Sequence, residues 1–100
     1  MYKIKMAPSA HEDIVEIKEY IARDNGEIAV KFVRKLYDEM RALGEHPHLG
    51  ISLEAKTGIT TKYRYLIYNP YLIFYKVEGD YVNVYRVLHG MRNYLKILDL

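Results

Sequence analysis

Hydrophobic positions along the chain fall into two different rhythms. Residues 2–6 alternate, with Tyr2, Ile4 and Met6 set against Lys3 and Lys5, which reads as a short strand with one buried face. Pro8 lacks an amide proton for a ladder and ends it. Ser9 to Glu12 has the form of a capping box, so a helix is expected to open at Ser9. Ile14, Ile17 and Ile21 line its stripe, widened by Val15 and the stem of Lys18, and Asn25-Gly26 is a stop signal. A second helix is expected from about Glu27 to Leu43, carrying Ala29, Phe32, Val33, Leu36, Met40 and Leu43, with Gly44 where a left-handed C-cap would sit. From Glu45 to Gly58 the pattern breaks, and a loop with an extended piece near Ile51–Ala55 is expected.

Past Thr60 the period becomes two. Tyr63, Tyr65 and Ile67 alternate with Arg64, Leu66 and Tyr68; after the Asn69-Pro70 turn, Tyr71, Ile73, Tyr75 and Val77 alternate with Leu72, Phe74 and Lys76. Glu78-Gly79-Asp80 makes a second turn. The last strand runs from Tyr81, with Val82, Val84, Arg86 and Leu88 expected on one face and Tyr81, Asn83, Tyr85 and Val87 on the other. Leu95, Ile97, Leu98 and Leu100 form an apolar tail suited to a short helix or an added strand. The expected fold class is α+β in the order β-α-α-β-β-β: an N-terminal strand and an antiparallel helical hairpin on one face of a twisted antiparallel sheet, all in one domain over residues 1–100.

Composition narrows the function classes. The chain has no cysteine, which excludes disulfides and thiolate chemistry. It lacks both a membrane-length apolar run and a signal-peptide core, so the expected location is the cytoplasm, with no membrane partner. Net charge is +2, unevenly spread: residues 1–61 hold 9 Lys/Arg against 10 Asp/Glu, and residues 62–100 hold 6 against 3. Eight of the 11 tyrosines lie between Tyr63 and Tyr94. A basic, tyrosine-rich half suits a nucleic acid or an acidic partner, although one wet sheet face collects tyrosine for packing reasons alone. His46 and His48 flank Pro47 without a third ligand at useful spacing, so no metal and no cofactor is expected.

Candidate chemistry gathers at the end of the last strand. His89 precedes Gly90, where the chain can turn, and Arg92, Asn93 and Tyr94 follow. Histidine titrates near neutrality, arginine clamps phosphate and tyrosine stacks. If the protein is a nuclease, His89, Arg92 and Tyr94 are its catalytic candidates. Arg64, Tyr65, Tyr75, Arg86 and Arg92 are candidates for contact with a target or nucleic acid. Arg86 lies among apolar positions, which also suits an ion pair with a helix carboxylate such as Glu12 or Glu16.

Several segments, taken in order, resemble the RelE/ParE superfamily of type II toxin–antitoxin toxins. They are the Tyr2–Ala10 opening, the Asp13–Ile21 helix, Tyr71-Leu72-Ile73-Phe74-Tyr75-Lys76-Val77 and the Arg86-Val87-Leu88-His89-Gly90-Met91-Arg92-Asn93 ending. The resemblance is strongest to the ParE branch. It implies a growth-inhibiting toxin of the kind involved in plasmid stabilisation, one that poisons DNA gyrase. It also implies neutralisation by a cognate antitoxin and assembly as a toxin–antitoxin heterotetramer. The RelE branch implies the alternative, a metal-independent endoribonuclease that cuts mRNA on the ribosome. RelE-like nucleases place an arginine where this chain has Leu72, and the basic cluster before that strand is thin, with only Lys56, Lys62 and Arg64. Both features favour a protein-binding inhibitor over an enzyme. A degenerate member without toxicity is a third reading.

Overall fold

A computed structural model describes all 100 residues. Strand β1 (Lys3–Met6) leads into helices α1 (Pro8–Ala22) and α2 (Gly26–Glu45); then come β2 (Ile51–Ser52), α3 (Leu53–Thr57), β3 (Arg64–Tyr68), β4 (Tyr71–Glu78), β5 (Tyr81–His89) and a single-turn α4 (Tyr94–Ile97). The strands form one five-stranded sheet in the order β1-β5-β4-β3-β2. The fold is α+β as expected, with the meander β3-β4-β5 antiparallel and β1 added at the edge. That edge pairing is parallel, Lys3 opposite Tyr81 through Met6 opposite Val84, because the chain crosses over through the helical hairpin before it returns as β5. No helix is long and apolar enough to cross a membrane.

The main core lies between the hairpin and one sheet face. Ala10, Ile14 and Ile17 of α1 and Leu36, Met40 and Leu43 of α2 meet Ile73 and Tyr75 of β4 and Val82, Val84 and Val87 of β5. A second, smaller core covers part of the opposite face. There Leu53, Leu98 and the ring of Tyr94 pack onto Tyr65, Phe74 and Leu88. The apolar tail is thus a helical turn, and it closes the far side of the central strand. Ile73, Phe74 and Tyr75 are consecutive, and all are fully buried.

Three local expectations give way to tertiary contacts. The helix starts at Pro8, with Ala7 at the cap position and no side-chain cap bond. Ser9 instead donates its hydroxyl to the Tyr85 carbonyl at 2.8 Å. Gly44 lies inside α2, where its carbonyl accepts the Tyr2 N–H at 2.8 Å, and a Cβ there would come within 3.0 Å of the Tyr2 carbonyl oxygen. It is a close-approach glycine and not a C-cap. Asn25 begins the second helix, its side chain accepting the N–H groups of Glu27 and Ile28.

The third departure is in β5. Phe74 pairs with Arg86 and Tyr75 with Val84, so Tyr85 is one residue too many on its strand. This β-bulge changes which side chains share a face. Val82 and Val84 face the helices as expected, but beyond the bulge Val87 joins them and Leu88 moves to the opposite core.

Candidate functional site

β5 is longer than its neighbour β1. The last backbone bond of that pairing runs from Ala7 N–H to the Val84 carbonyl, 2.8 Å. Beyond it the β5 edge would be bare, and α1 supplies the missing partners. Ser9 takes the Tyr85 carbonyl, and Asp13 accepts the Val87 N–H at 2.9 Å. Asp13 also accepts Arg86 Nε and Nη2, each at 2.8 Å. One buried carboxylate therefore receives three charge-assisted or backbone bonds, and the fork geometry is the strong form of an arginine–carboxylate pair. The Arg86 guanidinium is held even more firmly protonated than usual, first by its hydrogen bonds to Asp13. The expected ion pair of Arg86 with a helix carboxylate is present; the partner is Asp13, not Glu12 or Glu16.

This anchorage fixes the end of β5, where a cleft of ≈ 550 Å³ opens. Glu16, Ile17 and Tyr20 of α1 form one wall; Tyr71, Val87 and His89 form the floor; Pro70 and Arg92 close the end. The His89 ring stands edge-on to Tyr71, with centroids 5.6 Å apart. His89 Nδ1 accepts the Met91 N–H at 3.1 Å, so the neutral ring carries its proton on Nε2. The turn that brings Arg92 round is tied by Gly90 N–H to the Pro70 carbonyl (2.9 Å) and Arg92 N–H to the His89 carbonyl (3.0 Å). Burial pushes the Tyr71 hydroxyl above its ordinary range, with Tyr20 adding to the shift, so it is a neutral hydrogen-bonding group at physiological pH.

His89 and Arg92 share this cleft. Tyr94 does not line it: its ring lies against Phe74, centroids 5.2 Å apart, on the opposite face of the sheet. Leu72 packs into the same far-side cluster. The other candidates are dispersed. Tyr75 is fully buried, its hydroxyl donating to the Pro47 carbonyl and accepting the Gly50 N–H, both at 2.8 Å. Tyr65 is buried in the second core, and Arg64 Nη1 donates to the Gly50 carbonyl at 2.7 Å. His46 and His48 are exposed on the loop before β2, and no group of three His, Asp or Glu side chains is placed to hold a metal ion.

Asp13, Glu16, Ile17 and Tyr20 were not singled out from the sequence as a cleft wall. Their spacing of three, four and seven residues marks one helical face that shares Ile17 with the core stripe, and that was the available signal.

The chain matches the family described as ParE toxin of the type II toxin–antitoxin system parDE over residues 4–94, which takes in β1, the helical hairpin, the whole meander and the cleft. It belongs to the ParE toxin family. Its fold is similar to that of a solved chain from the chromosomal ParDE toxin–antitoxin system of P. aeruginosa, with a TM-score of 0.75 and 20% identity, covering 89% of this chain and 96% of that one. No curated protein sequence matches it. The chain is thus a ParE-type toxin of a type II toxin–antitoxin system.

Proposed function

We propose that this toxin inhibits growth by binding and poisoning DNA gyrase in the cytoplasm, and that a cognate antitoxin neutralises it in a toxin–antitoxin heterotetramer. Membership of the ParE family supports the target. The observation that carries a binding mode over hydrolysis is the separation of Tyr94 from His89 and Arg92 by the thickness of the sheet. Metal-free RNA cleavage needs a base, an acid and a cation converging on one phosphate. Here Leu72 and Tyr94 belong to an apolar cluster instead. Arg92, exposed at the cleft mouth, is the cation offered to the target.

For the antitoxin, the support is an open edge. β2 covers β3 only at Arg64 and Tyr65, which leaves Leu66–Tyr68 without an outer strand and Ile67 56% exposed. A sheet edge next to apolar side chains takes an extended partner segment by strand addition.

His89 and Arg92 in one cleft keep the mRNA endonuclease as the second reading. Unregulated expression of His89→Ala distinguishes the two. The gyrase reading expects growth arrest to persist with intact mRNA. A nuclease would lose its toxicity with the imidazole.

A further inference from the structure

The turn that carries Arg92 out of β5 is closed by a titratable side chain. His89 Nδ1 accepts the N–H of Met91, two residues on, at 3.1 Å. Asparagine and aspartate close the same ring with Oδ1, in an Asx-turn. An asparagine in this role is indifferent to pH. A histidine is not, because the bond uses the Nδ1 lone pair, and in an imidazolium both ring nitrogens are donors.

Protonation sets Nδ1–H against the Met91 N–H, so the ring has to leave the amide. Met91 is 87% exposed, and water takes the place of the lost acceptor. The bonds from Gly90 N–H to the Pro70 carbonyl and from Arg92 N–H to the His89 carbonyl do not involve the ring, so the change is confined to the turn. The polar groups that face the ring around the cleft are Asp13, Glu16 and Tyr20 of α1, Tyr71 of β4 and Arg92 of the turn itself. Asp13 is already spent on Arg86 and the Val87 N–H. Glu16 and Arg92 form no ion pair. Attraction to the Glu16 wall and repulsion from Arg92 both favour a charged ring released from the turn.

We infer that His89 is a pH-operated latch on the turn that presents Arg92, closed above the imidazole titration and open below it. That Arg92 meets the target rests on the function proposed above; the latch itself does not.

The test uses the purified toxin without gyrase, so its failure would leave the proposed function standing. The His89 ring and the backbone amides are followed by NMR from about pH 8 to about pH 5, the range in which histidine titrates, at constant ionic strength. The Met91 amide should shift with the same midpoint as the His89 ring. Its protection from solvent exchange, corrected for the intrinsic effect of pH, should fall about fivefold on acidification, the worth of one exposed hydrogen bond. The heteronuclear NOE of the Arg92 amide should fall with it. His89→Asn keeps the turn acceptor without the titration, so its Met91 amide should stay protected across the range. That variant retains His11, His46 and His48 and so controls for their titration. His89→Ala should leave the Met91 amide unprotected at both ends of the range. A Met91 amide that ignores the His89 titration, or one that responds to pH equally in His89→Asn, would overturn the latch.

Discussion

Asp13 ties the first helix to the last strand, and its three hydrogen bonds cannot be replaced by a shorter side chain. Removing one partner of a buried pair leaves the other uncompensated. Asp13→Ala should therefore cost about 3 kcal/mol, toward the low end for such pairs because the Arg86 side chain remains 26% exposed. For a domain of this size that is a fall in melting temperature of more than about 10 °C. A calorimetric shift within about 2 °C of wild type would contradict the anchor role. On the sheet's wet face, Glu78 accepts Tyr85 Oη–H at 2.6 Å and Asn83 Nδ2–H at 2.7 Å. These bonds, Tyr85 first, hold the Glu78 carboxyl below its ordinary 4.5, while the Tyr85 hydroxyl is pushed up to about 12 by the same contact. The depressed carboxyl stabilises the fold above pH 4.5 and loses that contribution as pH falls through its folded value; the raised phenol stabilises below pH 10 and loses it toward pH 12. Both groups face water, so the effect on global stability is small. The local effect is measurable: Tyr85→Phe should move Glu78 up toward the ordinary carboxylate range in a carbon-detected NMR titration, with the Asn83 bond still holding it below.

The longer elements were legible in the sequence because their cause is local; the short helix α3, capped by Ser52 and Gly58, was not, since Ile51–Ala55 was expected to be extended. Period-two alternation marked β3, β4 and β5, and the 3.6-residue stripes marked both helices, because side-chain direction follows backbone period. The bulge was not legible. An extra residue in β5 makes sense only opposite β4 and beside Ser9 and Asp13, and the last two lie more than 70 residues away in sequence. The same holds for Ser9, whose capping-box spacing is real but whose hydroxyl has a better partner in the orphaned Tyr85 carbonyl. Of the candidate site, strand position alone brought out His89 and Arg92. Tyr94 was misplaced because the chain turns after His89 and begins α4 at Tyr94, whose ring packs on Phe74 on the far face. The loop before β2 shows how such distant contacts are enforced. A Cβ on Gly50 would lie 2.7 Å from the Tyr75 ring and hydroxyl and 2.8 Å from the Tyr65 carbonyl. Gly50→Ala should thus cost about 1–3 kcal/mol by overpacking. Tyr75→Phe should cost a similar amount, about 1–3 kcal/mol, by leaving the Gly50 N–H without its partner. Denaturant midpoints would check both, and because both act on one contact their costs should not add in the double variant.

At the scale of the whole molecule, the sheet is packed on one face by the helical hairpin and on part of the other by α3 and the C-terminal turn. The second cover includes Leu72, the position at which the RelE resemblance would lead one to expect an arginine. What stays open is the His89–Arg92 cleft and the uncovered edge of β3. These are features of a molecule that binds. The most direct test of that reading is supercoiling by purified DNA gyrase with the toxin added, run beside translation-coupled mRNA cleavage. The account expects supercoiling to be inhibited, with cleaved DNA trapped on the enzyme, while the mRNA stays whole. Unaffected gyrase together with cut mRNA would contradict it and make His89 and Arg92 the centre of an active site.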